Sequence, residues 1–142
     1  TVGCAKKRAD MVESKYQKWI TDQLTKRGWL VIKNINVNKR GWPDLTCYKC
    51  GVAIFIECKK DGGKLSELQK HFLGKLHGQK FLAFVSYGKS IFNFRADEDK
   101  EPSSVLDMRD RLLSLPQDDG GGNWEDDFRT EVDKLLREAD DV

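Results

Sequence analysis

The chain has 142 residues, of which 34% are charged, and a formal net charge of +2. A chain of this length can form one hydrophobic core with a small extension. It contains no run of about 18 apolar residues and no apolar stretch near its start, so we expect no membrane span, no signal peptide and a cytoplasmic location. Its four cysteines are then expected to be reduced thiols.

The first predicted element is an amphipathic helix over residues 10–27. Its apolar side chains recur on one face at helical spacing, and Gly28 follows as the residue that ends the helix. Glu13 lies at the edge of the apolar face, where an acid either complements the helix dipole or reaches into a site. Residues 29–37 alternate loosely between apolar and polar, which predicts the first strand.

Two further strands are predicted to form a hairpin, over residues 45–48 and over the apolar run 52–58. The hairpin brings Asp44, before its first strand, towards Glu57, near the end of its second. Side chains alternate along a strand, so Glu57 and Lys59 share a face and lie roughly 7 Å apart. Two carboxylates and an ammonium group then meet at one edge of the sheet. This arrangement suits Mg²⁺ binding and phosphodiester hydrolysis.

The hairpin also carries a recognisable series of motifs. Residues 41–45 read GWPDL, residues 55–59 read FIECK and residues 66–69 read SELQ. In this order and spacing they resemble the PD-(D/E)XK nuclease superfamily and, within it, the VRR-NUC family, over residues 10 to 95. Each motif alone is weak, because Pro-Asp occurs in ordinary turns and Glu-x-Lys on many surface strands. The apolar strand between them favours the nuclease interpretation.

The resemblance implies a Mg²⁺-dependent DNA endonuclease in which Mn²⁺ can replace Mg²⁺, similar to Holliday junction resolvases and acting on branched DNA as a homodimer. It implies no small-molecule cofactor. Catalytic roles fall to Asp44, Glu57, Lys59 and Gln69, and metal ligation to Glu13, Asp44, Glu57 and the backbone carbonyl of Cys58. The alternative is a non-catalytic nucleic-acid-binding module on a nuclease-like fold, which would be expected to have lost an acid or the lysine.

Charge is unevenly divided along the chain. Residues 1–96 contain 19 Lys and Arg against 7 Asp and Glu, whereas residues 97–142 contain 6 against 16. A basic region attracts polyanions and supports contacts to phosphates. The predicted DNA-binding residues beside the motifs are Lys39, Arg40, Lys60 and Lys64. For the loop pair Lys39 and Arg40, simple solvated charges are the alternative.

Two residues and one cysteine pair near the motifs have two interpretations each. Gln69 either reaches back to Ser66 in a capping box or contacts the active site. Trp42 either packs against the hairpin or stacks on an unpaired base. Cys47 and Cys50 have the spacing of half a zinc site, but no second pair of ligands fits, so an incidental hairpin pair is favoured.

The rest of the core is predicted as a helix ending near residue 77, a buried strand over 80–87 and an edge strand over 90–95. The fold class is therefore α/β, with a mixed central sheet flanked by helices, and the resemblance makes it restriction-endonuclease-like. Residues 1–96 form the nuclease core and residues 97–142 an acidic helical extension, with helices at 103–115 and 124–139. The extension either covers the core, pairs with another subunit or occupies the DNA groove as an autoinhibitor.

Overall fold

The computed structural model describes residues 2–95 and 106–140. The elements in chain order are α1 (Val2–Lys26), β1 (Leu30–Lys33), β2 (Leu45–Lys49), β3 (Val52–Lys59), α2 (Glu67–Gly78), β4 (Leu82–Tyr87), β5 (Ser90–Asn93), α3 (Arg109–Leu113) and α4 (Trp124–Asp140). None of the helices in these two ranges is long and apolar enough to cross a bilayer.

The strands form one mixed sheet in the order β1-β2-β3-β4-β5, which confirms the predicted fold class. All neighbouring pairs are antiparallel except β3 and β4, which are parallel and joined by α2. Because parallel strands need a crossover connection, α2 lies against the sheet and packs on β3 and β4. The carboxyl ends of these two strands meet at the edge where β2 begins.

A tight turn sets the register of the β2–β3 hairpin. Its two central residues, Cys50 and Gly51, have φ values of 48° and 78°. Positive φ at both positions matches the right-handed twist of the flanking strands, as in a type I′ turn. The resulting register pairs Leu45 with Ile56. One further step along both strands places Asp44 opposite Glu57, as the sequence predicted.

The first strand is shorter than predicted, since it ends at Lys33 rather than at residue 37. Asn34 turns its side chain to the segment before β2, where it donates hydrogen bonds to the Pro43 carbonyl and to Thr46 Oγ1, both at 2.9 Å. Asn36 then adopts a left-handed conformation, with φ at 57°, which ends the extended chain. The strand predicted at 80–87 likewise begins later, at Leu82, because Lys80 has φ at 71°.

The ends of other helices and strands also differ from the predicted ones. The first helix begins at Val2 rather than at residue 10, and the last strand ends at Asn93 rather than at residue 95. Of the helix predicted at 103–115, only Arg109–Leu113 is helical among the described residues, and the predicted serine cap lies outside them. Asp107 and Met108 instead bond to β5, where Ile91 N–H donates to Asp107 Oδ1 and Met108 N–H to the Ile91 carbonyl.

The acidic extension packs on the same core as the sheet. Phe128, Val132 and Leu135 of α4 are buried in one cluster with Trp29 and with Ile20 of α1. The predicted domain boundary itself lies outside the described residues, but the extension covers the core, as one of the three alternatives proposed.

The position of α4 argues against the autoinhibitor interpretation. Arg129 Nε donates to the carbonyl of Cys50 in the β2–β3 turn at 3.3 Å, and Val132 and Leu136 pack in the cluster that contains Leu82 at the start of β4. This edge of the sheet is opposite the edge that carries Asp44, roughly 17 Å away along β2. The helix α4 therefore lies away from the motif-bearing edge.

Candidate active site

A row of residues crosses one face of the sheet at the edge where β2 begins. Asn34 N–H donates to the carbonyl of Asp44 at 2.8 Å, Asp44 is opposite Glu57, and Glu57 is paired with Val85. Because side chains alternate along a strand, Lys59 lies on the same face as Glu57. The structure thus brings together Asp44, Glu57 and Lys59, as the motif spacing predicted.

Glu57 is the most deeply buried acid of this row, at 3% exposure. Its Oε1 accepts a hydrogen bond of 2.9 Å from Gln69 Nε2, whereas its Oε2 is buried and none of the described residues donates to it. Burial, followed by the neighbouring Asp44 carboxylate, raises the pKa of Glu57 to about 9, although Lys59 acts in the opposite direction. A buried carboxylate in this state is stabilised by either a proton or a cation.

Gln69 fulfils both of its predicted roles at once. Its backbone N–H donates to Ser66 Oγ at 3.1 Å, and its Oε1 accepts from Ser66 N–H at 2.8 Å, which completes the capping box of α2. The side-chain Nε2 of the same residue donates to Glu57 Oε1. The start of α2 therefore fixes the orientation of the Glu57 carboxylate.

Asp44 and Lys59 are held by backbone contacts on either side of Glu57. Cys58 N–H donates to Asp44 Oδ2 at 2.9 Å, which ties the start of β2 to the end of β3. Gly88 N–H donates to the Lys59 carbonyl at 3.0 Å, which ties the end of β3 to the turn after β4. Both side chains are only partly buried, so they remain accessible to water and to a substrate.

Asn34 is a positioning residue that the sequence alone did not suggest, because it was assigned to a longer strand and belongs to no motif. Its backbone bonds Asp44, and its side-chain amide bonds Pro43 and Thr46. Three hydrogen bonds from one residue thus fix the backbone around Asp44. Only the pairing of β1 with β2 reveals them, since the partners are 9 to 12 residues apart.

We expect Asn34→Ala to weaken Mg²⁺ binding by about 10- to 100-fold, the effect usual for residues that orient a metal ligand. Losing two hydrogen bonds should also lower the free energy of unfolding by about 1–3 kcal/mol. Mg²⁺ titrations followed by calorimetry would measure the first effect and thermal unfolding the second. Thr46→Val, which removes only one of the two bonds, should give an intermediate result; wild-type Mg²⁺ affinity in both variants would contradict the positioning role.

Gly41 brings the basic loop before β2 against the start of α2. Its φ is 86°, and a Cβ atom built on it would lie 2.7 Å from Leu68 Cβ and 2.9 Å from the Leu68 carbonyl carbon. Only glycine permits this approach. Trp42, the next residue, packs edge-on against Phe55 and Phe72 at 5.8 and 5.7 Å, which favours the packing interpretation over base stacking.

The remaining predicted site residues lie around this row. Glu13 is half-buried on α1, and its charge contributes to raising the pKa of Cys58, after burial and the charges of Asp44 and Glu57. Cys58 itself is buried in the core, on the face opposite Glu57. The lysines and arginine predicted to bind DNA are all exposed: Lys39, Arg40, Lys60 and Lys64.

Across the described residues, no three His, Cys, Asp or Glu side chains converge as a ready metal cluster, so Glu13 is not brought into one ligand set with the other two acids. Cys47 is fully buried with its pKa raised to about 12 by burial, and none of the described side chains completes a zinc site around it. The donors nevertheless suit Mg²⁺, which commonly takes one or two carboxylates and keeps several waters. The unpartnered Oε2 of Glu57, the Asp44 carboxylate and the Cys58 carbonyl are the groups that could hold it.

Comparison with solved structures finds the Holliday junction resolvase Hjc of Archaeoglobus fulgidus, an archaeal hyperthermophile. The match has a TM-score of 0.50 and 16% sequence identity, and covers 71% of this chain and 99% of that one.

The chain has the restriction-endonuclease-like fold. This likeness concerns the fold alone, because the identity is low. No protein-family model and no curated protein sequence matches the chain.

Proposed function

We propose that this protein is a Mg²⁺-dependent DNA endonuclease of the PD-(D/E)XK superfamily, with motifs that resemble those of the VRR-NUC family. The observation that carries the proposal is the pair of carboxylates at the sheet edge. Glu57 is buried against Asp44 with one oxygen lacking a donor among the described residues. A structural role would not need a buried, unsatisfied acid beside a second acid and a lysine.

Each residue of the row has a role in hydrolysis. Asp44 and Glu57 would hold Mg²⁺, together with the Cys58 carbonyl, whereas Glu13 could join them only if its side chain moved towards the two acids. When bound, the metal would activate water and neutralise charge on the phosphate. Lys59 holds the attacking water or accepts its proton, and Gln69 keeps Glu57 in the orientation that binding requires.

Branched DNA is the proposed substrate. The structural neighbour is a Holliday junction resolvase, and four basic residues near the motifs of this chain are exposed: Lys39, Arg40, Lys60 and Lys64. We further propose a homodimer, because two-fold symmetry would present one site to each of two strands of a junction. Mn²⁺ should replace Mg²⁺, since both favour oxygen ligands.

The test uses an end-labelled four-way junction and a linear duplex of the same sequence. We expect Mg²⁺-dependent cleavage of the junction, and about 100-fold less cleavage by Lys59→Met, which removes the ammonium group but keeps most of the side-chain volume. Lys75→Met changes an exposed lysine of α2 and serves as the matched control. Sedimentation of the free protein tests the homodimer.

The outcomes separate the parts of the proposal. Equal cleavage of junction and duplex would keep the nuclease and contradict the preference for branches. Junction binding without cleavage in either Mg²⁺ or Mn²⁺ would contradict the enzyme and favour the non-catalytic binding module. Cleavage that Lys59→Met leaves intact would contradict the site assigned here.

A further inference from the structure

A group of exposed apolar side chains lies on β1, in the loop after it and on the neighbouring part of β2. Their exposed fractions range from 43% for Ile32 to 65% for Ile35. We call this group the β1 surface: Leu30, Ile32, Ile35, Val37 and Tyr48. Scattered exposed apolar residues are normal, but five of the eight large apolar side chains that are exposed among the described residues fall between residues 30 and 48, and this concentration favours a binding site.

The β1 surface lies on the face of the sheet that carries the candidate active site. Leu30 is paired with Tyr48 and Ile32 with Thr46, so these side chains lie on one face of the sheet. Asp44 is two residues beyond Thr46 on the same face, in line with Glu57. Thr46 is buried between Ile32 and Asp44, so the exposed apolar residues lie beside the carboxylates and are separated from them by one strand position.

Charge indicates what covers this surface. No acid occurs between Asp22 and Asp44, whereas Lys39 and Arg40, which follow the apolar loop residues, are exposed. A second copy of the chain related by two-fold symmetry would bring these like charges together, which is unfavourable. A polyanion is complementary to them.

Apolar side chains on a basic surface are suited to contact bases rather than phosphates, and the flat apolar faces of bases are accessible only where they are unstacked. We propose that the β1 surface binds unstacked bases of DNA next to the cleaved strand, while Lys39 and Arg40 contact the adjoining phosphates. This inference rests on the proposed nuclease function. It deepens that function by naming the feature of branched DNA that the protein recognises.

The loop after β1 connects the β1 surface to the backbone around Asp44. Asn36, with φ at 57°, lies between Ile35 and Val37 and turns the chain at the most exposed part of the surface. At the start of the loop, Asn34 N–H donates a hydrogen bond to the Asp44 carbonyl, and at its end Gly41 packs closely against Leu68. Bases held by the loop would therefore place their own backbone near Asp44 and Glu57.

The test compares wild-type protein with the double variant Ile35→Thr/Val37→Thr, which makes the two loop side chains polar. Binding to a four-way junction and to a linear duplex is measured by fluorescence anisotropy in EDTA, and 2-aminopurine at the branch point reports unstacking. We expect about ten-fold weaker junction binding, unchanged duplex binding and a smaller 2-aminopurine signal. Leu106→Thr, at a 63% exposed leucine outside the surface, is the control.

Junction affinity and 2-aminopurine signal equal to those of wild type would overturn the proposal. So would a variant that changes from dimer to monomer in sedimentation while each protomer keeps its DNA affinity, since the surface would then be a contact between copies. Leu30→Thr, at a strand position, repeats the test should the double variant unfold. Because binding is measured without metal, a protein that never cleaves DNA can still support or refute this inference.

Discussion

Glu57→Gln should reduce DNA cleavage by about 10³-fold or more, because it removes one of the two carboxylate charges that we propose hold a metal, and such a metal contributes several kcal/mol. The same change should raise the melting temperature of the metal-free protein. Glu57 is 3% exposed beside Asp44, so folding at neutral pH carries the free-energy cost of burying its charge or of protonating it. A glutamine has nearly the same shape and no charge, so this cost is absent in the variant. Cleavage assays and thermal unfolding with and without Mg²⁺ measure both effects.

The pH dependence of wild-type stability provides a second measurement of the same group. The pKa of Glu57 is about 9 in the folded protein against 4.5 for an ordinary glutamate, so between these values the folded state keeps a proton that the unfolded state has lost. Metal-free stability should therefore fall as pH rises through this window, and Mg²⁺ should reduce the fall because it favours the ionised form.

Two controls define what would contradict the assignment of Glu57. Glu67→Gln changes an acid whose side chain is 92% exposed and should alter neither cleavage nor the pH profile. If Glu57→Gln retained the pH-dependent fall, another group would be responsible for the titration. If it retained the Mg²⁺-induced stabilisation of wild type, another group would bind the metal.

Lys49→Met should lower the free energy of unfolding by about 2–4 kcal/mol without changing cleavage by the folded protein. Lys49 is 7% exposed, and its ammonium group donates to the carbonyls of Arg27 and Pro116 at 2.8 and 3.1 Å. It also lies 4.8 Å from the centre of the Phe128 ring. Methionine fills the space but leaves two carbonyls without a donor, and each such loss costs about 1–3 kcal/mol.

Lys49 joins the end of α1, the end of β2 and the segment before α4, at the edge of the sheet opposite Asp44. Chemical denaturation measures its effect, and cleavage is assayed at a temperature where the variant is folded. Lys134→Met, at a half-exposed lysine paired with Glu131, should cost less than about 0.5 kcal/mol. Loss of cleavage in folded Lys49→Met would contradict the expectation that Lys49, at one end of β2, stabilises the fold but is not needed for cleavage at the other end.

The hairpin was predictable because its information is local. The apolar run 52–58 specifies a buried strand, and Cys50-Gly51 permits the tight turn, so Asp44 must return to Glu57. The capping box of Ser66 and Gln69 is equally local, since its partners are three residues apart. By contrast, β1 was predicted four residues too long at its end, because a bond from Asn34 to Pro43 depends on strands pairing.

The sequence by itself determined the order of the elements, the mixed sheet and the meeting of Asp44, Glu57 and Lys59 at one edge, because strand periodicity and a short turn leave few alternatives. Only the tertiary structure decided that α4 packs beside Lys49 rather than over the motif edge, and that Asn34 holds the backbone of Asp44. It also decided that Gln69 completes its cap while binding Glu57. These contacts join segments far apart in sequence, and their energies depend on burial that no local pattern encodes.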